Sequence, residues 1–379
     1  MSIKILKKEE LTKNVAVIIG TRPGIVKFAP VVKELKKRKV DFFIIHAGQH
    51  YSYNMDRQFF EQLNLPRPKH VNTHVRNYKL HGEQTAEMIK GIERVLFKEK
   101  PSVVIVGGDA NTNLAGALAA RKLGIKLVHM EAGLRSNDWS MPEEHNRVMI
   151  DHISEILLAP TKIARENLKK DNVKGKIVVV GNPIVDAVND HVKIAKKSSQ
   201  ILGKLRLEPK KFFLLTFHRE ENVDSKKKVK AIIKVIKEVV KTFPYPIVFP
   251  VHPRTMRRIK FFGYMDEIKN IRGLKVIKAV GYFDFLQLLS NSKVVLTDSG
   301  GVQEECCILK VPCVTLRENT ERPETVAVGA NIIASTDHKK VAGAVKQFLS
   351  KNKKKNWKNP FGRNCAKKIV DILGSEIED

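Results

Sequence analysis

Two series of short apolar runs, separated by stretches of helical periodicity, constrain this chain more than any other feature of it. VAVIIG (15–20), DFFIIHAG (41–48), SVVIVGGD (102–109), KLVHME (126–131), SEILLAPT (154–161) and KIVVVGNP (176–183) place apolar side chains at consecutive positions. A strand with one wet face would alternate apolar and polar residues with period two. These do not, so both faces must be covered, as happens when helices cross over between parallel strands. GEQTAEMIKGIERVLFKEK (82–100) and NLAGALAARKLG (113–124) read as such helices, the second closed by Gly124. The pattern is a βαβ series.

A second series follows: KFFLLTFH (211–218), YPIVFPVHP (245–253), LKVIKAV (274–280), KVVLTDSGG (293–301) and VPCVTLREN (311–319). At 379 residues, 42% of them hydrophobic, the chain is long enough for two cores. The expectation is an α/β protein of two doubly wound Rossmann-like domains facing a cleft. Residues 1–185 form the first and 186–379 the second, with the junction between about 185 and 210. Helices from Lys340 onward either finish the second domain or cross back to the first. Ligands of such sheets bind beyond the carboxyl ends of the strands, so strand-end residues line the cleft.

Composition excludes several functional classes. Lys and Arg exceed Asp and Glu by 29, which invites a nucleic-acid reading. The lysines, however, lie in helical surface runs such as KELKKRK (33–39) and in SKNKKKNWK (350–358), with no interleaved aromatics and no helix-turn-helix pattern. A charge-rich surface of this kind also suits a heat-adapted protein, and no nucleic-acid partner is expected. No apolar run approaches the roughly 20 residues that span a bilayer, and MSIKILKKEE lacks a cleavable apolar segment, so a cytoplasmic protein without a membrane partner is expected. Cys306, Cys307, Cys313 and Cys365 lack metal-site spacing and read as buried reduced thiols. Without H-E-x-x-H or EF-hand spacing, no metal is expected either.

The strand ends carry the chemistry. GTRPGIVKFAP follows the first strand. Thr21 can cap the coming helix and Pro23 suits its first turn, which brings Arg22 and Lys27 near a helix N-terminus where anions are favoured. Each can equally be a turn residue or a solvated helix face. In LTDSGGVQEE (296–305), Ser299, Gly300 and Gly301 lie between a strand and a helix, where glycine lets backbone amides approach phosphate oxygens. An acid one turn further suits ribose hydroxyls, and also suits the helix dipole. Asp109 and Glu131 end two strands and should face the same cleft. Glu143 makes an S-x-x-E capping box with Ser140, and Asp109 can cap the helix after it, but neither device explains Glu131. Clustered acids beside a phosphate site suit proton transfer on a sugar. His218 and His252 also end strands, where histidine is as readily structural.

GTRPGIVKFAP, AGQH, VGGDANT, HMEAGLRS, MPEEHNR, GNPIVDA, TFHRE, PVHPRT, TDSGGVQEE and TERPE, in that order, resemble the non-hydrolysing UDP-N-acetylglucosamine 2-epimerase family over about residues 14 to 335. The resemblance implies a glycosyltransferase-B architecture, with UDP held mainly by the second domain and the sugar in the cleft. It implies interconversion of UDP-N-acetylglucosamine and UDP-N-acetylmannosamine without a cofactor, and a homodimer. It places Asp109, Glu131 and Glu143 around the sugar and His218 near the departing phosphate. Arg22 and Lys27 approach the phosphates or base, Ser299, Gly300 and Gly301 hold the pyrophosphate, Glu305 takes the ribose hydroxyls, and Arg147 and Arg322 add substrate contacts. Phe285 aligns with an apolar residue against uracil, whose polar edge meets main chain near Val280; as a residue on a helical apolar stripe, Phe285 is equally ordinary core.

The implied reaction has a chemical logic. The hydrogen on sugar C2 is not acidic, since no adjacent carbonyl stabilises a carbanion. Departure of UDP from C1 while a base takes the C2 proton gives a 2-acetamidoglucal, and readdition with a proton on the other face inverts C2. Two departures from the bacterial pattern stand out: Gly24 where Glu is usual, and YSYNMD after AGQH. In bacterial relatives the Gln-His of that region serves a second, regulatory substrate site, to which Gln49, His50 and Arg76 would correspond. Relatives acting on UDP-diacetamido sugars share the framework, and a glycosyltransferase of the same fold is the remaining alternative.

Overall fold

The computed structural model describes residue 6 and residues 11–48, 59–71, 74–350 and 356–378. Gln49 and His50 lie outside the described residues, as does the side chain of Arg76. The chain divides into two compact units: residues up to Ala187 together with those from Phe361 onward, and Val188–Pro360.

The first unit holds a parallel sheet of seven strands: β1 (Thr12–Ile19), β2 (Phe42–His46), β3 (His70–Val71), β4 (Pro101–Gly107), β5 (Lys126–Met130), β6 (Ile156–Ala159) and β7 (Lys176–Val179), in the order β3-β2-β1-β4-β5-β6-β7. Both faces of β1 are dry, as its sequence requires. Ala16 and Ile18 pack with Phe43, Ile45, Val104 and Val106 against Met88, Ile92 and Leu96, which recur every fourth residue on the helix His81–Glu99. Helix Arg22–Lys37 buries Ile25, Phe28, Val32 and Leu35 and packs on β1, β4 and the C-terminal helix Cys365–Glu378.

That last helix belongs to the first unit. Asp371 pairs with Arg38, Glu376 meets Lys126 at 2.7 Å, and Asp186 accepts the Ala366 amide at 2.8 Å. The returning chain crosses Gly181 so closely that a Cβ there would lie 2.5 Å from Cys365 Sγ and 2.7 Å from the Phe361 carbonyl, on a backbone with φ +90°.

The second unit has six parallel strands: β8 (Phe213–Thr216), β9 (Ile247–Val251), β10 (Leu274–Lys278), β11 (Val294–Thr297), β12 (Cys313–Thr315) and β13 (Asn331–Ile333), ordered β10-β9-β8-β11-β12-β13. Alternate residues of β8 serve opposite cores. Phe213 and Leu215 join Val229, Ile232, Ile236 and Val239 of the helix Lys226–Thr242, whereas Phe212 and Leu214 join Leu288, Leu289 and Cys306. The four cysteines are free and buried, and burial pushes the Cys307 thiol up to about 12, which makes it a packing residue rather than a nucleophile. Among the described residues no helix is long and apolar enough to cross a membrane.

In both sheets the order reverses once, between β1 and β4 in the first and between β8 and β11 in the second. At such a switch point neighbouring connections leave toward opposite faces and open a crevice at the strand ends.

Candidate active site

In the first unit, Gly20 and Thr21 follow β1. Thr21 is the N-cap of the following helix and accepts the Gly24 amide at 3.3 Å, as its position predicts. Half-buried Arg22 stands at the first turn. Lys27, one turn further, is no solvated helix-face residue: its ammonium reaches Glu131 at 2.6 Å.

Glu131 follows β5 with φ +69°, a left-handed backbone that a side chain with a Cβ adopts only under constraint, at a cost of about 1–3 kcal/mol. Its carboxylate is enclosed, one oxygen facing Lys27 and the other accepting Asn182 Nδ2 at 2.9 Å. Asn182 follows β7, so side chains from the helix after β1 and from the ends of β5 and β7 meet there.

Asp109, after β4, is gripped by the guanidinium of Arg147, with Nε at 3.0 Å and Nη2 at 2.7 Å. Arg147 itself is buried and also pairs with Glu144. Glu144 in turn accepts the amides of Ser136 and Asn137 and the Ser136 hydroxyl, all at 3.0–3.1 Å, which secures the loop entering the helix Pro142–Ile153. The Asp109 side chain keeps 35% of its exposure against 1% for Glu131, so of the two carboxylates Asp109 is the more open to a solute.

Glu143 is half-buried, and no hydrogen bond or ion pair engages its carboxylate among the described residues. The capping box expected from Ser140 and Glu143 is not formed. The N-cap is Met141, without a side-chain bond, and the Ser140 hydroxyl turns back to Asp138 at 2.6 Å. Nor does Asp109 cap the next helix, whose N-cap is Ala110. Both acids are therefore released from the local roles that would have explained them.

In the second unit, β8 runs into His218 and β11 into Asp298 and Ser299. Asp298 is fully buried and accepts the amides of His218 and Arg219 at 3.0–3.2 Å and Asn222 Nδ2 at 2.9 Å, which sets the turn after β8. Half-exposed His218 faces Asp298 at 3.9 Å. Loss of water around the ring lowers its proton affinity below the usual histidine value; Asp298 opposes this, and Arg219 and Arg254 reinforce it. The imidazole is neutral at pH 7 and free to accept or donate a hydrogen bond.

Ser299 is the N-cap of the helix Gly300–Ile308, whose first-turn amides point past its end, as in any helix, and favour an anion. A Cβ on Gly301 would meet nothing within 4 Å, whereas one on Gly300 would come within 3.3 Å of a Glu321 oxygen. Burial would raise the Glu321 carboxyl, but Arg317 and, behind it, Arg219 and Arg322 hold it well below the usual range. Glu305 is buried, and burial together with the Glu305 charge pushes the Tyr282 hydroxyl well above its ordinary value. Phe285 is half-buried at the edge of the core and Val280 half-buried beside it. Arg322 is enclosed and bonds Glu304 at 2.5 Å. Among the described residues no group of three or more His, Cys, Asp and Glu is placed to hold a metal ion.

The profile of the UDP-N-acetylglucosamine 2-epimerase family matches residues 33–374. The chain belongs to that family. It is an isomerase with a two-domain glycosyltransferase-B-like α/β fold. A UDP-N-acetylglucosamine 2-epimerase of Methanocaldococcus jannaschii is 52% identical over 364 residues, covering 95% of this chain and 98% of that protein. The crystal structure of the enzyme of that organism in complex with UDP-GlcNAc and UDP superposes with a TM-score of 0.89 at 51% identity, over 96% of this chain and 99% of that one. A UDP-2,3-diacetamido-2,3-dideoxy-D-glucuronate 2-epimerase of Pseudomonas aeruginosa is 37% identical over 365 residues, covering 95% of this chain and 99% of that protein.

Within this family member the structure brings Lys27, Asp109, Glu131 and Arg147 together at the first switch point, and His218, Ser299, Gly300 and Gly301 at the second. Sequence reasoning missed Asn182, Asp298 and Tyr282. Asp298 had a signal, since it directly follows an apolar strand, and Asn182 a weaker one, three residues past the end of β7. Tyr282 had none, because its contact is made across the fold.

Proposed function

We propose that this isomerase inverts C2 of UDP-N-acetylglucosamine, giving UDP-N-acetylmannosamine, by eliminating UDP and adding it back. The observation that carries the reading is the pair of carboxylates at the first switch point: reachable Asp109, and Glu131 held in a left-handed backbone between Lys27 and Asn182. Backbone held in that region clusters at sites that must present a group at a set angle.

The amides at Ser299, Gly300 and Gly301 take the pyrophosphate, Glu305 the ribose hydroxyls, and Phe285 and the main chain at Val280 the uracil. Arg22 adds charge toward the phosphates. As the C1–O bond breaks, its electrons leave with the β-phosphate oxygen, which the helix N-terminus and His218 stabilise. A carboxylate of the set Asp109, Glu131 and Glu143 takes the C2 proton, and the C–H electrons form the C1=C2 bond of 2-acetamidoglucal. A second acid of the set delivers a proton to the opposite face as UDP returns. Lys27, Arg147 and Arg322, enclosed against Glu131, Asp109 and Glu304, act by holding those acids in place. No cofactor enters this scheme. Four buried free thiols suit a reducing cytoplasm, and a homodimer is the assembly the family resemblance implies.

Incubation with UDP-N-acetylglucosamine in deuterated water tests the reading. Deuterium at C2 accompanying the manno isomer, with scrambling of oxygen-18 between bridging and non-bridging β-phosphate positions, is the expected result. Epimerisation without scrambling would refute elimination. Turnover of a UDP-diacetamidohexuronate alone would transfer the same chemistry to a different sugar, and sugar transfer to an added acceptor would make the chain a glycosyltransferase.

A further inference from the structure

We propose that His129 and Asp151 are positioning residues, a buried hydrogen-bonded pair that holds the ends of β4 and β5 so that Asp109 and Glu131 keep their relative geometry. The inference rests on the assignment of those two acids to proton transfer.

Both side chains are fully buried, and neither can touch substrate. His129 lies within β5, one residue from its end and two before Glu131. Its Nδ1 meets Asp151 Oδ1 at 2.7 Å, and its Nε2 meets the carbonyl of Gly108 at 3.1 Å. Both ring nitrogens face oxygen acceptors, so the ring is engaged from two sides at once. The second Asp151 oxygen accepts the Gly133 amide at 3.1 Å and forms an ion pair with Arg135 Nη2 at 2.7 Å. Burial would raise the Asp151 carboxyl, but the charges and hydrogen bonds of His129 and Arg135 outweigh it and hold it below its ordinary value.

One continuous path therefore runs from the Gly108 carbonyl through His129 and Asp151 to the Gly133 amide. Gly108 immediately precedes Asp109; Gly133 follows Glu131 by two residues. The path spans three residues with positive φ: Gly108 at +87°, Glu131 at +69° and Gly133 at +80°. The Glu131 carboxylate also lies against Gly108, where a Cβ would stand 3.1 Å from its Oε2. A buried ion pair is a poor way to stabilise a core, because packed aliphatic residues do so at less desolvation cost. Its value here is directional: it fixes a carbonyl and an amide that belong to the two acid-bearing loops.

Substitutions at His129 separate this role from simple stability. His129→Gln keeps an amide donor within reach of the Gly108 carbonyl. His129→Asn keeps a donor toward Asp151 and gives up Gly108. The expected result is a kcat in His129→Asn reduced on the order of 100-fold, the loss that misplacement by about 1 Å produces. KM for UDP-N-acetylglucosamine and Kd for UDP stay within about threefold, and His129→Gln regains about tenfold of the loss. Asp151→Asn, isosteric with the native residue, is expected to behave like His129→Asn. Unchanged kcat in His129→Asn, equal loss in the Gln and Asn variants, or failure of both His129→Asn and Asp151→Asn to fold overturns the proposal. Asp109→Asn and Glu131→Gln are measured beside them: full activity in those two removes the acids from the mechanism, whereas their inactivity with active His129 variants removes only the positioning role.

Discussion

Arg147→Met is the perturbation whose outcome the structure constrains most closely. Arg147 is 2% exposed and bridges two carboxylates, Asp109 by two hydrogen bonds and Glu144 by an ion pair. Removing the guanidinium strands Glu144, itself 2% exposed, without a counter-charge. Breaking a buried pair in this way costs about 3–5 kcal/mol. For a unit of roughly 200 residues each kcal/mol lowers Tm by about 2–4 °C, so the transition of the first unit should fall by about 6–20 °C. Activity should fall by about 100-fold as well, because Asp109 loses the fork that orients it.

Adding Glu144→Gln separates the two effects. The double variant no longer buries an unpaired charge and retains acceptors for Ser136 and Asn137, so most of the Tm loss should be recovered; Asp109 remains unheld, so kcat should not. Differential scanning calorimetry and a coupled assay for UDP-N-acetylmannosamine read the two quantities. A Tm change below 2 °C in the single variant, or recovery of kcat in the double, would refute the reasoning.

Glu131→Gln is expected to abolish turnover while the affinity for UDP, measured by titration calorimetry, changes by less than about threefold, since the UDP site proposed above lies in the other unit. Gly181→Ala places a Cβ against Cys365 Sγ and the Phe361 carbonyl on a positive-φ backbone; a loss of about 2–4 kcal/mol is expected, with earlier proteolytic release of the C-terminal helix as the readout. His218 binds a proton less readily in the folded protein than its ordinary value of about 6.5 implies. Its neutral form therefore persists below that pH, and any acid limb of kcat/KM that it causes should lie below 6.5 and vanish in His218→Gln. A limb above 6.5 would contradict the environment described for it.

The sheets were legible because strands dry on both faces show as unbroken apolar runs, as in VAVIIG and FFLLT. β3 and β13, two and three residues long, are too short to carry a pattern. The strand-end rule pointed to Asp109, Glu131 and Ser299, since an abrupt polar residue after such a run has little else to do. Partners could not be read. Lys27 and Glu131 are 104 positions apart, Asn182 and Glu131 51, and nothing local encodes either pairing. Glu143 and Glu144 are adjacent and chemically alike, yet the roughly 100° between successive helix positions turns one toward Ser136 and Arg147 and leaves the other outward. The same limit hid the buried role of Arg147, which in MPEEHNR resembles a substrate contact.

The passage of the terminal helix back onto β1 and β4 sets an order of assembly on the ribosome. Val188–Pro360 is a single uninterrupted segment and can complete its sheet as soon as it has emerged, although it is made second. The earlier-made segment waits, with the surface that Ile369, Val370 and Leu373 will cover still open, until the helix Cys365–Glu378 has emerged. Truncation at the far end should therefore cripple the half of the enzyme that was synthesised first.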